Sequence, residues 1–285
     1  MASMRDIKRR KSSIQSTQQI TKAMKLVSTV KLQKARNRAE QSNPYFNHMY
    51  QTVTSMLARS GSLNHPYLKG GESSKKAIIT IASNRGLAGG YNANVVKLVT
   101  ESGMAKEDIQ IYMVGRKAEE LLVRKGYEIK ADYSDVIEGP VYEDAAAICR
   151  DVLEAFSKGE IGEIYLAYTH FKNTVSHQPT LIKLLPVEFD DAELQEADSN
   201  LLMNYEPNEE EALDLIIPKY LTSLFYGALV EAVASENGAR MQAMDSATSN
   251  ADEMISDLTL KYNRARQGSI TQELTEIIAG AEAIS

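Results

Sequence analysis

The chain has 285 residues, 43% of them apolar, and a formal net charge of −6, which is the composition of a soluble globular protein with room for one large core or two modest ones. No uninterrupted run of about 18 apolar residues occurs and none follows the basic start, which argues against a membrane span or a secretory leader and predicts a chain kept in the cytoplasm. A single cysteine, Cys149, rules out a disulfide framework within one chain, and His48, His65, His170 and His177 lack zinc-ligand spacing on a shared helix face, so no metal, cofactor or catalytic residue is assigned.

Residues 1–59 read as one long helix, because they contain no glycine and one proline, Pro44, with a kink predicted near Asn43. At 1.5 Å per residue it reaches roughly 80 Å, more than a small core needs. Its first 38 residues hold eleven Lys and Arg against Asp6, a net of +10 that leaves −16 for the rest of the chain. Such an arm suggests a polyanion partner. Here, however, the cations are interleaved with helix-periodic apolar residues, and no aromatic lies among them to stack on bases. The alternatives at this point are a solvated helix face and a nucleic-acid-binding arm. Ile20, Ala23, Val27 and Val30 are spaced as a coiled-coil seam.

Glycines and prolines from Gly61 to Gly71 mark a linker. Over residues 75–190 the pattern changes. Ala77–Ala82, Ile109–Val114, Ile164–Thr169 and Leu181–Val187 read as strands, with helices near Asn94–Thr100, Ala118–Arg124 and Asp144–Phe156. That alternation predicts an open, mostly parallel sheet of Rossmann-like type. The loop Ser83–Asn92 follows a strand, precedes a helix and is rich in glycine. It lacks the Gly-x-Gly-x-x-Gly spacing and the Gly-Lys-Ser/Thr of phosphate-binding loops, which leaves a tight turn as the alternative to a nucleotide site.

Eleven acidic residues and no basic one lie between Lys183 and Lys219. Residues 207–285 read as a second long helix, opened by Pro207 and Glu209–Glu211, where the helix dipole favours acid, and kinked or broken once at Pro218. Met241, Met244, Thr248, Ala251, Ile255, Leu258, Tyr262 and Ala265 follow strict 3,4 spacing. Two long helices separated by a globular insertion meet by running antiparallel. The predicted fold is therefore α/β: a Rossmann-like open sheet domain inserted between long N- and C-terminal helices that form an antiparallel coiled coil, a rod with a knob at one end.

Four blocks carry a more specific signal. They are Met1–Arg10 with Gln19–Ser28, Ser83–Gly89, Ala239–Met244, and Ile270-Thr271-Gln272-Glu273-Leu274-Thr275-Glu276 running to Gly280-Ala281-Glu282-Ala283. In this order, over the whole chain, they resemble the gamma subunit of F-type ATP synthases. Without a transit peptide the likeness is to the bacterial type.

The resemblance implies a non-catalytic rotor, the central stalk that couples ion flow through the membrane c ring to ATP synthesis or hydrolysis in a head of alpha and beta subunits. Its partners would be alpha, beta, epsilon and the c ring, with no nucleic acid. Its place would be peripheral, on the cytoplasmic face of the cell membrane, reached only through the complex. Met24, Lys25, Arg240, Gln267, Thr271 and Glu273 match family positions that engage beta subunits. Tyr205 and Glu206 match the segment that meets the c ring and epsilon. The competing readings are a coiled-coil scaffold or polyanion-binding protein, and a small nucleotide-binding enzyme that uses the glycine loop.

Overall fold

A computed structural model describes residues 4–60, 65–188 and 208–282. The chain divides into two compact units, Thr29–Arg240 and the pair Met1–Ser28 with Met241–Ser285. Helix α1 (Met4–Ser60) and the last helix, α6 (Glu209–Glu282), each contribute to both.

The larger unit is built on a five-stranded sheet. Its strands are β1 (Lys76–Ile81), β2 (Ile109–Val114), β3 (Glu128–Asp132), β4 (Glu163–Phe171) and β5 (His177–Leu185), in the order β3-β2-β1-β4-β5. The first four are parallel and β5 is antiparallel to β4. The sheet is thus mostly parallel, as predicted, with an antiparallel edge. β1 and β2 are near-continuous apolar runs because helices cover both their faces. On one face Ile79, Ile81, Val114 and Leu166 pack against α5 (Tyr142–Ser157), Val53 and Met56 of α1, and Leu213, Ile217, Phe225 and Leu229 of α6. On the other face Ile78, Ile111 and Met113 pack against Val96 and Val99 of α3 (Tyr91–Thr100) and Leu122 of α4 (Arg116–Arg124). Each fully buried Ile or Phe contributes about 1.5–3 kcal/mol. A short helix, α2 (Pro66–Lys69), lies in the predicted linker.

β3 is a strand the sequence reading omits. Its residues alternate exposed and half-buried, with Glu128, Lys130 and Asp132 outward, so it lacks the apolar run that announces the other strands. β5 begins at His177, four residues before the predicted start, and includes Pro179, which an edge strand tolerates.

Both long helices continue through their prolines, Pro44 and Pro218. One stretch of α6 is long and apolar enough to cross a membrane by length and composition, and 56% of it is buried inside the protein, as in a core helix. Polar residues interrupt it, so the sequence shows no unbroken apolar run.

In the smaller unit the C-terminal seam is as predicted. Met244, Thr248, Ala251 and Leu258 are buried, and Met241, Ile255, Tyr262 and Ala265 are half-buried. The seam predicted on the first helix is wrong. Ala23 is exposed, and Ile20 and Val27 are 59% and 57% exposed. The inward residues there are instead Met4, Ile7, Lys11, Ile14, Gln18, Thr21, Met24, Lys25 and Ser28, which keep 3,4 spacing apart from the adjacent pair Met24 and Lys25, with polar groups at five of the nine positions.

Candidate functional site

In the smaller unit, side-chain contacts fix the register. Gln18 Nε2 donates to Asp252 Oδ1, the Thr21 and Thr248 hydroxyls lie 2.7 Å apart, and Lys25 Nζ donates to Asp245 Oδ1 at 2.6 Å. Residue numbers rise on one helix as they fall on the other, so the pair is antiparallel, with Met4 facing residue 265 or 266 by the same register. Both threonine hydroxyls are also satisfied within their own helices: Thr248 donates to the Met244 carbonyl at 2.8 Å, and the Gln18 carbonyl lies 3.0 Å from Thr21 Oγ1. A seam of threonines, glutamine and serine gives up hydrophobic burial and sets register by directional contacts.

Two surfaces of this unit are left open. On α1, Ile20, Leu26 and Val27 face solvent, as do Arg5, Lys8, Arg9, Arg10 and Lys22. On α6, the part after residue 266 extends past the start of α1. There Gln267, Thr271 and Glu273 are exposed, and so are Ile270, Leu274, Ile277 and Ile278, at 47–68%. Within this end, Thr271 Oγ1 donates to the Gln267 carbonyl at 2.9 Å and Gln272 Nε2 to Glu276 Oε1 at 2.9 Å. A helix with large apolar side chains and polar ones exposed together has the composition of an interface. Gln267, Thr271 and Glu273 share this end. Met24 and Lys25 are half-buried on α1, with Lys25 engaged by Asp245.

Arg240 is elsewhere and differs in kind. It belongs to the larger unit, is 8% exposed, and holds the glycine-rich loop. Its Nε and Nη2 donate to the carbonyls of Gly86 and Arg85 at 3.4 and 3.1 Å, and its Nη1 donates to Glu236 at 2.7 Å. Burial pushes the Glu236 carboxyl above its ordinary value, and Arg240 opposes that shift. In this chain the Arg240 guanidinium is engaged internally.

The loop is closed by its own side chains as well. Ser83 N donates to Asn92 Oδ1 at 3.0 Å, Asn84 Nδ2 donates to the Ser134 carbonyl at 2.8 Å, and Arg116 N donates to Asn84 Oδ1 at 3.2 Å. Leu87 and Gly89 take positive φ, 63° and 56°, so one of the two left-handed positions is not a glycine. Gly115 ends β2 with φ 111°, where a Cβ would come 2.1 Å from the Ala82 carbonyl oxygen. This is a packed strand-to-helix turn whose carbonyls face a buried guanidinium, an arrangement suited to holding α6 and not to receiving a phosphate.

Among the described residues no group of three His, Cys, Asp or Glu side chains is placed to hold a metal ion. Tyr205 and Glu206 lie outside the described residues, as does most of the acidic stretch. Sequence reasoning missed the Arg240–Glu236 pair. Its i, i+4 spacing was visible, but nothing local linked it to a loop some 150 residues away.

Comparison with known proteins agrees with this geometry. The family model described as ATP synthase matches residues 3–284. The chain is 68% identical over 292 residues to the ATP synthase gamma chain of Lachnoclostridium phytofermentans, covering all of both chains, and 44% identical to that of Alkaliphilus metalliredigens, covering 99% and 98%. Its fold matches a chain of the Euglena gracilis mitochondrial ATP synthase structure with a TM-score of 0.71, at 19% identity, over 99% of this chain and 94% of that one. A mixed five-strand sheet between long terminal helices, polar-seamed and open along one helix end, is thus seen together with full-length sequence identity, and the chain belongs to the ATP synthase gamma chain family.

Proposed function

We propose that the chain is the central-stalk rotor of an F-type ATP synthase and that the free end of α6 turns inside a ring of alternating alpha and beta subunits. The observation that carries this is the end of α6 beyond α1, where Ile270, Leu274, Ile277 and Ile278 stand open to solvent in the isolated chain. A surrounding sleeve removes that apolar area from water at about 25 cal/mol per Å² without fixing an angular position. Gln267, Thr271 and Glu273 then make the polar contacts to beta subunits that differ from one angle to the next. Met24, Lys25 and the exposed cations of α1 lie beside an acidic beta-subunit loop. Exposed ion pairs of that kind contribute about 0–1 kcal/mol each, weak enough to form and break at every step.

The chain itself catalyses nothing, since the nucleotide sites belong to alpha and beta. It works as a rigid element whose asymmetric faces hold three chemically equal beta subunits in different states, so that turning it shifts their nucleotide affinities in sequence. Tyr205 and Glu206 form the foot that meets the c ring and epsilon, and the chain sits peripherally on the cytoplasmic face of the membrane. Arg240, whose guanidinium holds the glycine-rich loop and Glu236, stands with Gln267, Thr271 and Glu273 as a beta-facing coupling position.

The test is reconstitution with alpha and beta subunits, comparing the wild-type chain with the Gln267→Ala/Thr271→Ala double variant. Both chains should assemble. If each lost contact raises the rate-limiting barrier by about 1 kcal/mol, ATP hydrolysis should fall about 30-fold. Normal turnover would overturn the contact assignment. Failure of the wild-type chain to assemble, or hydrolysis that does not depend on it, would overturn the rotor reading.

A further inference from the structure

The larger unit contains a cavity of about 580 Å³ between α1, α5, the β4–β5 hairpin and α6. That is within the range of small-molecule sites. Nothing in the rotor mechanism uses it. Its walls are aromatic: Tyr45, Phe46, Tyr142, Tyr168 and Tyr226 all line it, with Tyr142 and Tyr226 set edge to face at 5.9 Å between ring centroids. Ile182 and Leu224 add aliphatic surface.

Glu231, on α6, lies along the lining beside His170, on β4, whose Nδ1 is 2.7 Å from Glu231 Oε2. Among the described residues no lysine or arginine lines the cavity, although the chain carries 32 of them. The negative end is felt within the cavity. The Tyr168 phenol is pushed up to about 12 by burial and, next, by the Glu231 carboxylate. Gly227 of α6 borders the space. A Cβ built on Gly227 meets nothing within 4 Å.

Aromatic faces carry negative quadrupole potential, and a desolvated cation over them gains about 2 kcal/mol or more. Five such rings with a carboxylate at one side and no lysine or arginine among the described lining residues make a site for a positive charge on an apolar body. We propose that this cavity binds a small organic cation, a quaternary ammonium or protonated amine carrying an aromatic or branched aliphatic group, with the charge toward Glu231 and the body among the tyrosines. Anions are disfavoured by the same field, and inorganic cations because no three His, Cys, Asp or Glu side chains gather among the described residues to hold a metal ion.

The probe is benzyltrimethylammonium, titrated calorimetrically into the purified full-length chain, with benzenesulfonate as the anionic counterpart of similar size. The expected result is saturable one-to-one binding of the cation and none of the anion. Glu231→Gln should weaken binding at least tenfold, and Gly227→Leu, which fills the cavity from an open position, should abolish it. Circular dichroism and thermal melting establish that each variant is folded. If Gly227→Leu does not fold, Tyr168→Leu takes its place and should weaken binding at least tenfold through loss of a ring. The proposal is overturned if the cation does not bind, if benzenesulfonate binds equally well, or if a folded variant keeps wild-type affinity.

Discussion

Replacing Arg240 by methionine keeps most of the side chain's volume and removes its charge. The variant leaves the Glu236 carboxylate, 13% exposed in the native chain, without its partner. Breaking a buried ion pair from one side costs about 3–5 kcal/mol. The carbonyls of Arg85 and Gly86 belong to exposed residues and can turn to water, so the lower end, about 3 kcal/mol at pH 7, is expected. The pH dependence has a definite sign. Burial already holds the Glu236 carboxyl above its ordinary 4.5 even beside the cation, and without Arg240 it rises further. The folded state then binds a proton that the unfolded chain has released, so the variant loses stability as pH rises from about 4.5 through the folded value. Its deficit against wild type should therefore be smaller at pH 5 than at pH 8. Adding Glu236→Gln to Arg240→Met removes the orphan charge and should restore more than half of the loss. The chain has no tryptophan, so urea unfolding is followed by far-ultraviolet circular dichroism at pH 5, 6, 7 and 8. A deficit below about 1 kcal/mol at pH 7, or one that does not change with pH, would refute the account of a buried, coupled pair.

Three further outcomes are expected. Thr21→Val and Thr248→Val should each lower stability by about 0.5–1.5 kcal/mol, and the double variant should lose no more than the worse single one, because the two hydroxyls share one interhelical contact; full additivity in urea melts would contradict that. Gly115→Ala should cost about 3 kcal/mol or prevent folding, from its φ of 111° and the Ala82 carbonyl, while Gly268→Ala, with open space around its Cβ, should be neutral or stabilising by up to about 1 kcal/mol in the same assay. Cys149, 4% exposed and with its thiol pushed up to about 12 by burial, should not react with a disulfide reagent at pH 8 in the native chain, yet react fully in denaturant; rapid native labelling would show that α5 opens easily.

What the sequence discloses depends on whether burial and apolarity coincide. They do along β1 and β2 and along the α6 seam, where Met244, Ala251 and Leu258 mark the inward face, so these elements are legible residue by residue. On α1 they are opposed. Apolar Ile20 and Val27 face outward while Gln18, Thr21 and Ser28 face inward, and a reading by hydrophobic periodicity chooses the wrong stripe. β3 is hidden for a related reason, since its charged positions face solvent at a sheet edge. Arg240 was legible as a functional candidate only through a family pattern, and its contacts with Arg85 and Gly86 depend on how the chain folds back over some 150 residues. Gln267, Thr271 and Glu273 at the end of α6 were likewise named only through a family pattern, and all three are exposed.

The sixteen residues of α6 from 267 to 282 are helical and, among the described residues, have no neighbouring helix to support them. An isolated segment of that length is marginal in water, because the first turn fixes several residues for a single hydrogen bond. Here that nucleation step is already complete, since the segment is the continuation of a helix seeded and held by the rest of the chain, and only the small propagation increment remains at each residue. Its order is therefore graded toward the terminus. Fraying from residue 282 inward draws nothing from the packed core, and enclosure by a partner can stiffen the end turn by turn without changing the fold that precedes it.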